Sequence, residues 1–358
     1  MAGVNLSAAG AVPNVGISLK ILGMETRLMG KIGRDFFGEG ILNFLKEKTV
    51  TGNMIETGGE NTSYTVVIAP PGTDRMFLHD PGANDTFTSE DVDYEIMKSS
   101  RLFHFGYSPL MRKMYENDGE KLVKIFKRVK ELGVITSLDM AFIEPSSDSG
   151  KADWKKILKR VLPFVDIYIP SVEETLYMVK RDYFYSLNKI NQDIINNLNV
   201  NFMQELGDTL ISHGAKVVVI KCGVKGYYTR TQGKKAFQEI EKLTFIDTEN
   251  WTGRELFVET YDVERIKSTI GAGDTSIAGF LAALLTGRSI EESIKIAHVI
   301  ATQSIQTYDI FSNIKDLGTT VEMVKKSMPV IRYEIEDSYW KYDKELGVWK
   351  GEKDREFV

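Results

Sequence analysis

A glycine-rich turn followed at once by an acidic residue is the part of this sequence best suited to chemistry. The turn reads Gly271-Ala272-Gly273-Asp274, and the apolar stretch 275–287 that follows it has helical spacing. Small residues let backbone N–H groups converge at a helix start, where the helix dipole adds positive charge, so such a turn can bind an anion. An aspartate there is ionised at neutral pH and can accept a proton. The combination suits phosphoryl transfer to a hydroxyl, with Asp274 as general base and residues 271–273 as anion hole. The alternative is a capped turn before a core helix.

A second glycine-containing segment lies near the N-terminus. Gly10 is followed four residues later by Asn14, after which the apolar stretch 15–22 has helical spacing. A side-chain amide at the start of a helix can hydrogen-bond the hydroxyl groups of a polyol. In the alternative interpretation, Asn14 only caps the helix.

In this order the two segments resemble the signatures of the ribokinase-like, PfkB-type carbohydrate kinases. Gly10, Asn14, Gly23 and Gly33 fall in register with the first signature, and Ala9 stands at its first glycine. The second signature is close to D-T-x-G-A-G-D, which here reads Ser268-Thr269-Ile270 followed by the glycine turn. Three further segments fit: Gly82-Ala83-Asn84, Pro170-Ser171-Val172-Glu173-Glu174 and Lys221-Cys222-Gly223-Val224-Lys225-Gly226. The resemblance covers about residues 5–315.

The resemblance implies ATP-dependent phosphorylation of a sugar hydroxyl and assigns residues to it. The sugar would be held by Gly10, Asn14 and Asn84, and the nucleotide side would be lined by Ser171, Lys221, Gly223 and Gly226. Mg²⁺ would bridge the ATP phosphates, with Glu174 orienting it. Ser268 stands where the family usually has an Asp that helps to bind a monovalent cation, so the resemblance does not extend to cation activation.

One departure from the family concerns the N-terminus. Members usually begin with a strand that carries a sugar-binding Asp well upstream of the glycine loop, whereas only a few residues precede Gly10 here. We therefore expect that strand to be missing and the chain to be a poor kinase. Two other functions stay open: a nucleoside kinase, whose acceptor hydroxyl is on a ribose, and a catalytically silent relative that binds the ligand. An NAD-dependent dehydrogenase would need G-x-G-x-x-G after an early strand, and the glycine turn lies late in the chain.

The elements that must position these residues are strands and helices, which alternate along the sequence from residue 101 onward. The predicted strands are 101–106, 134–139, 165–170 and 216–221, and the predicted helices are 119–132, 154–162, 172–180 and 202–213. This alternation predicts an α/β fold with a central, mainly parallel sheet flanked by helices. The stretches 63–68 and 76–79 are separated by Pro70-Pro71-Gly72-Thr73-Asp74 and predict a hairpin that forms a small β-sheet lid. We expect one kinase domain over residues 1–330 and an appended C-terminal hairpin over 331–358 with exposed aromatic residues.

Composition narrows the class of protein. Among 358 residues, 45 are Lys or Arg and 50 are Asp or Glu, which gives a net charge of −5. This mild acidity gives no electrostatic reason to expect nucleic acid or an anionic membrane as a partner. The sole cysteine, Cys222, excludes an internal disulfide and a cysteine-based metal cluster, and favours a cytoplasmic location. The expected partners are a sugar, ATP and a second copy of the chain, joined through the lid sheet.

Overall fold

The architecture comes from a computed structural model that describes residues 6–48, 50–68, 76–189, 194–326 and 328–355. Its strands are β1 (Arg27–Gly33), β2 (Thr51–Thr57), β3 (Tyr64–Ile68), β4 (Met76–Asp80), β5 (Leu102–Phe105), β6 (Ile135–Leu138), β7 (Ile167–Tyr168), β8 (Val217–Lys221), β9 (Gly226–Thr231), β10 (Glu255–Glu259), β11 (Lys341–Asp343) and β12 (Val348–Lys350). Its helices are α1 (Ala11–Ile21), α2 (Phe36–Glu47), α3 (Tyr94–Ser99), α4 (Arg112–Glu131), α5 (Asp148–Lys151), α6 (Trp154–Val161), α7 (Val172–Val179), α8 (Arg181–Lys189), α9 (Ile194–Asn197), α10 (Val200–Ser212), α11 (Lys234–Gln238), α12 (Thr248–Trp251), α13 (Ala272–Leu285), α14 (Ile290–Ser304) and α15 (Leu317–Lys325).

The main sheet is mixed. Within the described residues it has eight strands in the order β11-β12-β10-β9-β8-β7-β6-β5. Strands β5, β6, β7 and β8 pair in parallel, and the other neighbours pair antiparallel. β8 is buried along its whole length, as expected for an apolar strand that is covered on both faces. The predicted α/β fold is confirmed, and its parallel part is β5 to β8. β9 runs antiparallel to β8 because the short 3-10 turn Gly223–Lys225 joins the two strands directly, without a crossover helix.

Two small sheets lie apart from the main one in the described part of the chain. β1 and β2 pair in parallel. β3 and β4 pair antiparallel, as the predicted lid hairpin requires, and the predicted turn between them, Pro70-Pro71-Gly72-Thr73-Asp74, lies outside the described residues. Every residue of β3 is exposed. The lid sheet therefore has no core of its own.

Helix α13 connects the glycine turn to the core. It is buried from Asp274 to Leu284, because it is apolar around almost its whole circumference and must be enclosed. It packs against α14 and α1, and its Ile277 shares an apolar cluster with Val15 and Leu19 of α1. This packing brings together the N-terminal ends of two helices that lie far apart in the sequence. None of the described helices is both long and apolar enough to cross a membrane.

The C-terminal hairpin is part of the main sheet. β11 and β12 pair with each other, and β12 pairs with β10. Trp340 is only 5% exposed and packs against Tyr228. The expected exposure of the tail's aromatic residues is therefore wrong for Trp340, because the hairpin lies against β10 and shares its core. Tyr339, which is 62% exposed, fits the expectation. The domain boundary at residue 330 stays a prediction.

Residues beyond the hairpin also enter the core. Asp354 accepts a hydrogen bond from Arg254 Nε at 2.9 Å, and the same guanidinium pairs with Glu291 at 2.7 Å. The Arg254 side chain is only 1% exposed. The end of the described chain therefore compensates a buried charge at the start of β10.

Candidate active site

The Asp274 carboxylate lies at the N-terminal end of α13, enclosed by two neutral hydrogen-bond donors. Gly271 is the N-cap residue, with a φ of 75° that favours glycine, and Asp274 is the third residue of the helix and only 2% exposed. Asn14 Nδ2 donates to Asp274 Oδ2 at 2.7 Å. Tyr107 Oη donates to the same carboxylate, 3.0 Å from Oδ1 and 2.9 Å from Oδ2. Each donor comes from an element distant in sequence, so the contact depends on the fold.

Asn14 reaches this carboxylate from inside helix α1. The helix begins at Ala11, earlier than the sequence pattern indicated, with Gly10 as its N-cap residue at a φ of 100°. Asn14 N–H donates to Gly10 O at 3.0 Å, so Asn14 belongs to the first turn and does not cap the helix. Its Oδ1 atom is buried and has no hydrogen-bond partner within the described residues. A buried acceptor of this kind is suited to a donor that comes from a ligand.

Lys221 and Asp139 form a buried ion pair beside the glycine turn. Lys221 Nζ lies 2.7 Å from Asp139 Oδ1, and the two side chains are 11% and 2% exposed. A Cβ built on Gly273 would have Lys221 Nζ as its nearest neighbour, at 3.8 Å. The ammonium group therefore lies next to the first turn of α13. Within the predicted anion hole, the Ala272 N–H already donates to Thr269 O at 3.3 Å. It is therefore not available to an anion in this conformation.

Ser171 and Glu174 lie at the start of α7, at the same edge of the sheet. They form a reciprocal capping box, in which Ser171 N–H donates to Glu174 Oε2 at 2.7 Å and Glu174 N–H donates to Ser171 Oγ at 3.2 Å. Ser171 also bridges to Lys221 in parallel register. The backbone N–H and the hydroxyl oxygen of Ser171 are therefore both engaged in hydrogen bonds at the start of the helix. The same box holds Glu174 next to the ion pair.

Burial sets the protonation behaviour of the acidic groups. It raises the pKa of Asp274, whereas the hydrogen bonds from Asn14 and Tyr107 and the charge of Lys221 lower it. Burial also raises the pKa of Asp139, and the Lys221 ammonium opposes that rise. A carboxylate with a raised pKa that stays ionised is a good proton acceptor near neutral pH.

The lysine and histidine side chains of the site keep fixed protonation states. Burial would lower the pKa of Lys221, but the charges of Asp139, Glu174 and Asp274 outweigh it and raise that pKa, so the ammonium stays charged. Burial and the charge of Lys221 lower the pKa of His104 to about 3, so this imidazole is neutral. The site therefore contains one stable cation among three carboxyl groups.

Three of the predicted residues are not part of this cluster. Asn84 lies in a short 3-10 helix, Gly82–Thr86, after the lid strands, and takes no part in the hydrogen bonds that join Asn14, Tyr107 and Asp274. Gly223 and Gly226 form the tight turn between β8 and β9. A Cβ on Gly226 would come 2.0 Å from Val258 O, so close packing inside the sheet accounts for this glycine.

Tyr107 and Asp139 are site residues that the sequence analysis did not identify. Both lie just beyond the carboxyl end of a strand in the parallel part of the sheet. Asp139 is the first residue after β6, and Tyr107 is the second residue after β5. Polar residues at the carboxyl ends of parallel strands meet at one edge of an open sheet. That positional rule, applied to the predicted strands 101–106 and 134–139, was the signal that could have found both.

The geometry places a proton acceptor, a fixed cation and a helix N-terminus in one buried cluster. A helix N-terminus and an ammonium group stabilise negative charge, and a buried carboxylate can take a proton from a hydroxyl. Such an arrangement can transfer an anionic group to a hydroxyl oxygen.

Comparison with known sequences agrees with this chemistry. A family model described as "pfkB family carbohydrate kinase" matches residues 1–315. A relative from Archaeoglobus fulgidus, named an uncharacterized sugar kinase, is 25% identical over 293 residues, which cover 82% of this chain and 96% of the relative. Probable fructokinase-6, chloroplastic, from Arabidopsis thaliana is 25% identical over 82% of this chain and 67% of its own length.

Comparison with solved structures supports the fold. Ribokinase from Thermotoga maritima aligns with a TM-score of 0.64 at 18% identity, over 89% of this chain and 88% of that chain. A putative ribokinase II from E. coli in complex with ATP and Mg²⁺ aligns with a TM-score of 0.66 at 18% identity, over 89% of each chain. Since the family model matches most of the sequence and both signatures meet at Asp274, the chain belongs to the pfkB family of carbohydrate kinases and is a kinase.

Proposed function

We propose that the protein transfers the terminal phosphoryl group of ATP to a hydroxyl group of a sugar, with Asp274 as the general base. The observation that carries this proposal is the buried Asp274 carboxylate at the N-terminal end of α13, beside the glycine turn and the Lys221 ammonium. The names of the relatives, a sugar kinase and a fructokinase, support the substrate class. The complex of the E. coli protein with ATP and Mg²⁺ supports the phosphoryl donor.

In the proposed step, the acceptor oxygen bonds to the terminal phosphorus while the bond between that phosphorus and the bridging oxygen of ADP breaks. The hydroxyl proton passes to Asp274. The backbone of Gly271, Ala272 and Gly273 would stabilise charge on the transferring group, once Ala272 N–H is released from Thr269 O. Lys221, which Asp139 holds at the turn, would contact the same group.

The other predicted residues are assigned either to the sugar or to the nucleotide. Gly10, Asn14 and Asn84 are proposed to hold the sugar, and the unpartnered Asn14 Oδ1 would accept a hydrogen bond from a sugar hydroxyl. Ser171, Gly223 and Gly226 are proposed to line the nucleotide side, by their match to the family's segments. Their positions at the ends of strands fit the general rule that open α/β sheets bind ligands at the carboxyl edge.

Within the described residues no three acidic or histidine side chains are arranged to hold a metal by themselves, so a Mg²⁺ ion that accompanies ATP would depend on phosphate oxygens as well as on a carboxylate of the site. Asp139, Glu174 and Asp274 bring three carboxyl groups toward one ammonium, and the charge of each raises the pKa of Lys221. Mg²⁺ is commonly held by one or two carboxylates together with phosphate oxygens and water. Glu174 would hold it, because Asp139 is paired with Lys221. When bound, the ion would neutralise charge on the ATP phosphates.

We also propose that two copies of the chain associate through the lid. The lid sheet exposes apolar side chains on both faces, among them Val66 and Leu78 on one face and Val67 on the other. Phe37 of α2 stacks on Tyr64 at 5.1 Å, which extends the apolar surface. Exposed apolar surface of this kind is typical of an interface. Sedimentation equilibrium of the wild type and of Val66→Lys would test this, and a monomeric wild type would contradict it.

The test of the proposed activity is an assay of ADP release with a panel of ketoses, aldoses, sugar acids and nucleosides, and identification of the phosphorylated product. Wild type should phosphorylate at least one sugar. Asp274→Asn should lower kcat by about 10²- to 10⁴-fold, the usual size of general-base assistance. If only nucleosides are phosphorylated, the acceptor hydroxyl is on a ribose and the protein is a nucleoside kinase. Sugar binding without turnover would identify a silent relative.

A further inference from the structure

The phenol of Tyr107 occupies the side of the Asp274 carboxylate from which a general base acts. Its Oη lies 3.0 Å from Oδ1 and 2.9 Å from Oδ2, so it is centred between the two oxygens. The lone pairs that point into this space are the more basic ones of a carboxylate. An acceptor hydroxyl that gives its proton to Asp274 through these lone pairs must approach from the side that the phenol occupies. The phenol and the substrate therefore compete for one position.

Tyr107 is fitted to remain a hydrogen-bond donor at this position. Burial raises the pKa of its phenol well above the ordinary value, and the charge of Asp274 raises it further. The phenol therefore keeps its proton and does not act as a base. Asn14 donates to Oδ2 at 2.7 Å, so two neutral groups cap the carboxylate.

The backbone that carries Tyr107 is linked to the proposed sugar side. Tyr107 has a φ of 66° and a ψ of 31°, a left-handed conformation that is costly for an aromatic residue. The preceding residue, Gly106, approaches α1 so closely that a Cβ would come 2.4 Å from Ala11 Cβ. A ligand that settles against the Gly10–Asn14 segment therefore acts on the same part of the structure that orients the phenol.

We propose that Tyr107 gates the general base: it covers Asp274 while the sugar is absent and yields that position to the acceptor hydroxyl when the sugar binds. This inference rests on the proposed kinase function. In the covered state, water cannot give its proton to Asp274, so hydrolysis of ATP by water is suppressed. In the open state, the sugar hydroxyl takes the place of the phenol, and the proton passes from that hydroxyl to the carboxylate.

The test compares wild type with Tyr107→Phe, which removes the hydroxyl and keeps the ring. The variant should hydrolyse ATP in the absence of sugar at least about tenfold faster than wild type, which corresponds to ~1.4 kcal/mol. Its KM for the sugar should fall, since no hydrogen bond must be displaced, while kcat for the sugar stays within about threefold, ~0.6 kcal/mol. Tyr94→Phe is the matched control, because Tyr94 Oη is buried without a hydrogen-bond partner in the described residues. It should change neither rate.

The two rates together distinguish a gate from a residue that only orients the base. A lower kcat with unchanged ATP hydrolysis would mean that Tyr107 only orients Asp274 during reaction, and would overturn the gate. If Tyr107→Phe fails to fold, Tyr107→Asn serves, because asparagine tolerates the left-handed conformation and is too short to cap the carboxylate. Unchanged hydrolysis in that folded variant also overturns the gate. A wild type that phosphorylates no member of the panel contradicts the proposed function instead.

Discussion

At the scale of single residues, the ion pair between Lys221 and Asp139 combines a structural and a functional role. Both side chains are almost fully buried, and their charged atoms are 2.7 Å apart. Removing one partner of a buried pair leaves the other charge without compensation, which typically costs 3–5 kcal/mol. Replacing both partners costs much less. The two roles can therefore be separated by single and double substitutions.

Lys221→Met is expected to lower the free energy of unfolding by about 3 kcal/mol or more, since it leaves Asp139 buried and unpaired. The double variant Lys221→Met with Asp139→Asn should recover most of that stability. Both variants should lose phosphoryl transfer, because neither has a cation at the glycine turn. Urea unfolding and ADP release measure the two effects. Kinase activity that returns with stability in the double variant would contradict a phosphate contact by Lys221.

The protonation of Asp274 predicts how activity depends on pH. Burial raises its pKa above the ordinary value of about 3.9. Because the reaction needs the carboxylate, kcat should be lost as pH falls through this raised value. Asn14→Ala removes a donor that stabilises the carboxylate, so the acid limb of the kcat profile should move to higher pH. Ser18→Ala is the control, since the Ser18 hydroxyl donates to the Asn14 carbonyl and not to the Asp274 carboxylate in the described structure. An unmoved limb would show that Asn14 does not act on Asp274.

At the scale of elements, the glycines at the start of α13 have different reasons to be glycine. Gly271 has a φ of 75°, and a Cβ there would come 2.7 Å from Ile310 Cδ1. Gly273 is helical, and a Cβ there would meet only ordinary contacts, with Lys221 at 3.8 Å. The backbone therefore requires the first glycine, whereas no contact in the described structure requires the second; in the proposed function it leaves room for a phosphate beside the ammonium.

Substitution by valine should distinguish them. Gly271→Val is expected to lower the free energy of unfolding by about 1–3 kcal/mol, the usual cost of a strained backbone conformation. Gly273→Val should stay within about 1 kcal/mol of wild type, yet raise the KM for ATP at least about tenfold, because its side chain fills the phosphate position. Thermal unfolding and ATP titration measure both. Equal loss of stability in the two variants would contradict the distinction.

The same helices show how far the sequence predicts the site. Asp274 and the glycine turn were predictable because their chemistry is encoded in consecutive residues. That Asn14 binds the sugar stays a prediction; the structure places its side chain on Asp274, and α1 begins earlier than the apolar pattern indicated. Tyr107 and Asp139 depend on the order of strands in the sheet, which local spacing does not encode. The antiparallel half was not predicted because β9 follows β8 through a three-residue 3-10 turn, and because β12 pairs with β10 across a long separation in the sequence.

At the scale of the whole molecule, stability depends on contacts between the C-terminal segment and the core. Asp354→Ala leaves the buried Arg254 guanidinium with Glu291 as its remaining ion-pair partner. We expect the free energy of unfolding to fall by about 2 kcal/mol or more, since a charge-assisted hydrogen bond is lost in a buried position. Glu95→Ala, which breaks an exposed pair with Lys98, should cost less than about 1 kcal/mol. Similar urea midpoints for both variants would contradict a role of the tail in the core.

The contact between Arg254 and Asp354 also has a consequence for biosynthesis. The two residues are 100 positions apart, so a ribosome must add all of the intervening chain before the guanidinium meets this partner. Strand β10 likewise stays unpaired on one edge until β12 has been translated. Although domains begin to fold from the N-terminus during synthesis, the nascent kinase cannot complete its sheet until β12 emerges from the exit tunnel. Until then it presents an open strand edge to chaperones.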